Sequence, residues 1–303
     1  MMSSMKQSRG DKIFLMINYI YLILALIIVA YPVIYMISAS ISNPQYVNTG
    51  EMWLFPKDIT WAGYKMVFDN NKIWHGYMNT IIYTVVGTSL NLVVTLPAAY
   101  ALSRSDFVGR KLFMGFILVT MFFSGGIVPT YLLIKNLGLI NSMGALILPV
   151  SVSVWNLIVA RTFFQSTIPK EVQEAAQIDG CTNMRLFIRL IIPLSAPIIA
   201  VMALFYGVAH WNSFLPSLLY LNDETKYPLQ MILRQLLVLQ EMSAETTGAA
   251  VSGDVALAMN SKADAASLIK YAVIIVSTLP IIAVYPFLQR YFVQGVMIGS
   301  VKG

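Results

Sequence analysis

Charge is scarce in this chain of 303 residues: Asp, Glu, Lys and Arg together make up 11% of it, against roughly a quarter of a soluble globular domain. Cysteine is almost missing. Cys181 stands alone, which excludes an intrachain disulfide and a multi-cysteine metal site and leaves it the reading of a small filler in a turn. The two histidines, His75 and His210, lie far apart, no HExxH or GxSxG occurs, and Cys181 has no neighbouring histidine. No catalytic constellation of an intramembrane enzyme is therefore visible. Nothing reads G-x-x-x-x-G-K-[ST], the loop whose backbone N–H groups cradle phosphates. The nearest basic glycine site, Gly109-Arg110-Lys111, reads as a positively charged turn.

What fills the chain is apolar: 57% of residues are hydrophobic and the mean hydropathy is +0.70. A helix needs about 20 mostly apolar residues to cross roughly 30 Å of hydrocarbon at 1.5 Å per residue. Six stretches qualify, near 13–38, 80–102, 112–133, 145–164, 196–221 and 268–288, and none contains Asp or Glu. The expected class is all-α: a polytopic membrane protein with a short N-terminus, 1–12, and one transmembrane domain, 13–303. The first run is too long for a cleaved signal peptide and no A-x-A-type site follows it, so it is expected to stay as a span. Prolines at 32, 97, 129, 149 and 280, with Pro286 near the last inner end, are potential kinks that a bundle tolerates.

Orientation follows from the loops, because Lys and Arg are retained in the cytoplasm. Lys6, Arg9 and Lys12 precede the first run; Arg104, Arg110 and Lys111 fill the 103–111 loop; Arg161, Lys170, Arg185 and Arg189 mark the 165–194 region; Arg290 and Lys302 close the chain. These segments are expected inside and the alternate connections, 39–79, 134–144 and 222–267, outside. Both termini are then cytoplasmic. Retained positive loops also account for a pI near 9.3 without nucleic acid as a partner. Within 222–267 the apolar spacing of KYPLQMILRQLLVLQ suggests a helix on the external surface, where a binding protein could meet it.

The inner stretch EVQEAAQIDGCTNMRLFIRLIIP, 171–193, has the grammar of two short helices. Ser166 or Thr167 can cap the first, with Pro169 in its first turn and Glu171 near its positive end. Gly180 stops it in a left-handed conformation. Thr182 can cap the second, 183–190, which ends before Pro193 with Met184, Phe187, Ile188 and Ile191 on its apolar side. On pattern alone this knob could equally rest on lipid headgroups.

Glu174-Ala175-Ala176, then Gly180, then Pro193 resembles the EAA motif of ABC importer permeases. Asp179-Gly180 within it and Trp211-Asn212 downstream are similar to the carbohydrate-uptake permeases, the kind that includes the maltose permease pair. PAAYALSRSDFVGR (97–110), PTYLLIKNLG (129–138) and the ending QRYFVQGVMIGSVKG resemble the same permeases in the same order, in particular the subgroup for polysaccharides or complex oligosaccharides. The resemblance covers about 60–303 and implies the type I importer permease fold. It further implies a second homologous permease subunit, two ATPase subunits that bind ATP and Mg, and an extracytoplasmic solute-binding protein. This chain needs no cofactor of its own in that scheme. The 165–194 loop would dock on an ATPase through Glu174, Ala175, Ala176, Asp179, Gly180 and Pro193, and the tail Gly299-Ser300-Val301-Lys302-Gly303 would reach the ATPase pair.

An ion-coupled secondary transporter is the alternative of another mechanism, but the spans lack the carboxylates that such carriers use. A structural membrane subunit without a pathway is a further alternative. Candidate sugar contacts inside spans are Asn91, Trp155, Asn156, Trp211 and Asn212, because carbohydrate recognition needs hydrogen-bond partners and an aromatic face. Each has a second reading: an asparagine bonds a neighbouring helix and a tryptophan sits in the interface belt. His210 reads as packing or a helix–helix hydrogen bond.

Overall fold

The computed structural model describes residues 8–246, 264 and 267–286. Among these the protein is helical throughout, with a lone bridge between Ser42 and Ile59 as its only extended pairing. The chain divides into two compact units, 1–70 with 235–276 and 71–234 with 277–303.

In the first unit α1, Arg9–Ser40, opens with a capping box: Ser8 Oγ accepts the Asp11 N–H and the Asp11 carboxylate accepts the Ser8 N–H at 2.9 Å. Both orphan donors are thereby satisfied at the edge of the apolar run. The helix exposes its apolar side chains on every face and is buried only at Ser38, Ala39 and Ser40. There it meets Val47 and Met52, flanked by Tyr35, Tyr46 and Tyr271, next to α2 (Pro44–Asn48) and α3 (Ala62–Phe68).

The second unit is built around α4, Asn71–Ser103, whose 33 residues span about 50 Å at 1.5 Å each. Then follow α5 (Arg110–Phe122), α6 (Ile127–Asn136), α7 (Met143–Ile147) with a 3-10 turn at Leu148–Val150, and α8 (Val154–Thr167). The knob contains α9 (Lys170–Ile178), α10 (Asn183–Leu186), a π turn at Phe187–Ile191 and α11 (Ile192–Leu194). Next come α12 (Ala196–Trp211) and α13 (Phe214–Tyr220); α14 (Leu229–Thr246) and the apolar helix α15 (Ser267–Pro286) each have residues in both units.

Three of the expected spans are interrupted. The 112–133 run bends by 114° between α5 and α6, where Ser124, Gly125 and Gly126 follow an extended Phe123 and Gly126 takes φ +84°. The 145–164 run bends by 49° between Val150 and Val154, and a bend of 82° at Ser195 precedes α12. The 196–221 run breaks again after Trp211. The glycine pair at the first bend, Pro149 beside the second and Pro193 and Pro197 around the third explain the three bends, since each weakens or removes the i→i−4 ladder. By length and composition α1, α4 and α15 could each cross a bilayer, and each bent pair could serve as one further span, which gives six among the described residues.

On the side away from the knob, Asn141, with φ +61°, ties the 220–226 turn down. Its N–H donates to Tyr220 O at 2.7 Å, its Oδ1 accepts the Asn222 and Asp223 N–H groups, and Lys226 Nζ donates to its carbonyl at 2.9 Å.

Candidate functional site: the knob and the polar seam above it

The first knob helix ends in the manner its glycine requires. Gly180 has φ +70°, the Asp179 N–H closes the last helical bond on Ala175 O at 3.0 Å, and the Cys181 N–H reaches back to Ala176 O at 2.9 Å, the 6→1 bond of a Schellman end, which satisfies an otherwise orphan carbonyl. Thr182 then caps α10, its Oγ1 accepting the Arg185 N–H at 3.4 Å. At the other end of α9 the expectation fails: Ser166 and Thr167 cap nothing, because α8 runs through both and Ser166 Oγ donates to Phe163 O at 3.3 Å. Ile168 and Pro169 make the turn between the helices instead. The second knob helix also differs from the expected 183–190. It continues past Pro193 through a π turn, and the wider turn brings Leu186, Phe187 and Ile191 inward while Met184 and Ile188 are exposed.

This rotation seats the knob on the bundle. Ala176, Leu186, Phe187 and Ile191 join one apolar cluster with Leu96, Ala99, Tyr100 and Leu102 of α4, Phe164 of α8 and Met202 of α12. The Tyr100 ring lies 5.8 Å edge-on from Phe164 and 5.3 Å from Phe187, separations at which aromatic pairs attract. Glu174, Ala175, Asp179 and Gly180 stay exposed, as does Pro193, whereas Ala176 is buried. Val172, Ala175, Asp179, Arg185 and Arg189 line an open groove of about 540 Å3 beside them. Of the expected docking residues, five thus face outward, while Ala176 is a packing residue of the knob itself.

The C-terminal end of α4 is tied to the knob by groups that sequence reading passed over. Its last carbonyls all find donors: Ser103 Oγ on Tyr100 O, the Arg104 N–H on Ala101 O, Arg161 Nε on Leu102 O, and Arg110 and Gln165 on Ser103 O. Cations at a helix C-terminus also complement its dipole. Arg104 pairs with the Asp106 carboxylate through Nε, at 2.8 Å, and through Nη2, and its Nη1 reaches Asn183 Oδ1 at 3.0 Å. The guanidinium holds the Asp106 carboxyl below the usual carboxylate range.

The five candidate pathway residues separate into three places. Asn91 is fully buried and clamps two elements: Nδ2 donates to Val150 O at 2.6 Å, and Oδ1 lies 2.7 Å from His210 Nε2. Val150 O is freed by the break before α8, and the Ser153 N–H at the same break donates to Tyr206 Oη at 3.1 Å, itself 2.8 Å from Thr95 Oγ1. Backbone groups released inside a bilayer need such partners. Ser153, Asn156, Tyr206, His210 and Asn212 line a cavity of about 370 Å3, so Asn156 and Asn212 meet there and Asn91 stands behind its wall. Trp211 faces a separate cavity of about 420 Å3 with Thr84, Thr88 and Gly207, its Nε1 donating to Ser277 O at 3.1 Å. Trp155 is 59% exposed and reaches neither cavity.

Gly87 makes the clamp possible: a β-carbon there would lie 2.6 Å from His210 Cε1. The tail Gly299–Gly303 falls outside the described residues, and so does most of the 247–266 stretch.

Known proteins resemble this chain along nearly all of its length. Residues 73–298 match the family described as binding-protein-dependent transport system inner membrane component. Protein LplC of Bacillus subtilis is 40% identical over 99% of this chain and 98% of its own. The polygalacturonan/rhamnogalacturonan transport system permease protein YtcP of the same organism is 37% identical over 97% and 99%. A crystal structure of a bacterial ABC transporter involved in the import of the acidic polysaccharide alginate contains a chain that superposes with a TM-score of 0.83 at 32% identity, covering 95% of this chain and 100% of that one.

Proposed function

The chain belongs to the family of binding-protein-dependent transport system inner membrane components, and from that premise we infer that it is the carbohydrate-translocating permease half of an ABC importer. Relatives that carry pectic polymers or alginate by name support an oligosaccharide or polysaccharide fragment as substrate. The cavity supports the same class, since amides, hydroxyls and an imidazole around Asn156, Asn212, Ser153 and His210 match the hydroxyl groups of a sugar ring.

One observation carries the mechanism: the knob presents Glu174, Ala175 and Asp179 to solvent on a helix that is capped at Gly180 and packed into the same apolar cluster as α4, α8 and α12. A partner that pulls on this surface moves three membrane helices, because a packed cluster shifts as a body rather than deforming smoothly. The partner is an ATPase subunit on a separate chain, which supplies the ATP and Mg chemistry that no loop of this sequence is built for. A second homologous permease completes the pathway, the solute-binding protein delivers sugar to the 39–79 and 222–267 face, and both termini are cytoplasmic. Gly299–Gly303 contacts the ATPase pair.

The test is uptake into proteoliposomes carrying the full complex. Enclosed ATP drives accumulation of labelled oligosaccharide when binding protein is present, and a protonophore leaves the rate unchanged. Uptake that needs an ion gradient and no ATP would establish the secondary-transport reading instead.

A further inference from the structure

We propose that Arg104 is a positioning residue: the loop between α4 and α5 is a strut that carries displacement of the knob directly into α4. The proposal rests on the reading of the knob as the ATPase docking element.

The covalent route from knob to α12 is a poor conductor of force. After Asn183 the chain passes through the π turn Phe187–Ile191 and the 82° bend at Ser195 before it enters α12, and such interruptions are where helices yield. Arg104 offers a shorter path. Its side chain is only 10% exposed although it lies in a polar loop. The two-point pairing with Asp106 fixes the plane of the guanidinium, which aims Nη1 at Asn183 Oδ1, 3.0 Å away. Asn183 is the first residue of α10, next to the cap Thr182 and three positions past Gly180, so the grip falls where the knob changes direction.

The loop that holds Arg104 is held in turn. Arg110 Nη1 donates to Arg104 O at 3.1 Å, and Arg161 and Gln165 of α8 bond the last two carbonyls of α4. Motion of Asn183 therefore enters the end of α4, the helix that carries Asn91 and, through it, the clamp on His210 and Val150. The break before α8, which lines the cavity with Val150 and Ser153, is thereby within reach of the knob by a route that bypasses α12.

The experiment measures saccharide taken up per ATP hydrolysed in the reconstituted complex for Arg104→Lys, which keeps the charge but loses the fork, for Asn183→Ala, and for the double variant. Each single change lowers the ratio on the order of tenfold, the range that coupling between sites ordinarily spans. The double variant is no worse than either single one, and Asn183→Asp, which restores an acceptor for the guanidinium, recovers the ratio. ATP hydrolysis and recovery of the ATPase subunits stay at the unmodified level. An unchanged ratio in both single variants overturns the proposal, as does a loss of uptake that only follows loss of the ATPases. Glu174→Lys separates the two claims: normal uptake in that variant defeats the docking reading itself, whereas failure at Arg104 and Asn183 alone defeats only the strut.

Discussion

Replacing Gly87 by alanine places a methyl group where the ring of His210 lies, since the ideal β-carbon sits 2.6 Å from Cε1 and 2.8 Å from Cδ2. Carbon atoms in contact are comfortable at about 3.5–4.0 Å, so the imidazole must retreat by about an ångström. That shift breaks the 2.7 Å contact of Nε2 with Asn91 Oδ1. Overpacking costs about 1–3 kcal/mol and a polar contact between membrane helices about 0.6–2 kcal/mol, for a combined loss of about 2–5 kcal/mol. Equilibrium unfolding in mixed micelles titrated with SDS measures it. His210→Ala removes the obstacle, so Gly87→Ala added to it costs almost nothing, and the coupling in the cycle is as large as the single-variant cost of Gly87→Ala. Additive losses, or a single-variant cost below about 0.5 kcal/mol, the range of an ordinary surface change, would refute the packing argument.

Other consequences are as definite. No atom lies within 4 Å of a β-carbon at Gly180, so Gly180→Val acts through backbone strain alone, about 1–2 kcal/mol; it lowers coupled uptake, while Gly180→Asn, which tolerates positive φ, keeps most of it. Because Arg104 depresses the Asp106 carboxyl, that pair contributes its full stability above the unfolded carboxylate range near pH 4 and loses it as pH falls through the lower folded value; Asp106→Asn flattens this part of a thermal-stability profile taken between pH 7 and 3. In a cysteine-free background a cysteine at Lys57 reacts with an impermeant thiol reagent on whole cells and one at Lys170 does not, and the reverse pattern would invert the orientation.

The broad plan was legible because it depends on local properties. Apolar length announced membrane helices, and the ends of α9 and α10 followed from Gly180 and Thr182, whose effects reach only a few residues. The bend at Gly125-Gly126 had a visible cause, yet hydropathy averages over a run and cannot see where the ladder stops. What needed coordinates was register: Asn91 and His210 are 119 positions apart, and neither betrays in the sequence that a glycine one turn away lets them meet. The same holds for Arg104 and Asn183, 79 positions apart, where a set of arginines reads as retained positive charge although the side chains of Arg110 and Arg161 cap the end of α4. Trp155 shows the converse limit of residue type. Its residue type suited a sugar, but the turn of α8 on which it falls faces away from the cavity.

The central claim is that the 170–194 knob receives the force of ATP hydrolysis, and Glu174→Lys tests it most directly. Glu174 is exposed and touches none of the apolar cluster, so the variant folds and inserts normally. With the ATPases and binding protein present, ATP-driven oligosaccharide uptake is expected to be abolished while membrane insertion remains at the unmodified level, with the ATPases either released from the complex or turning over ATP without transport. Uptake at the normal rate, at normal expression, would mean that the knob only rests on lipid.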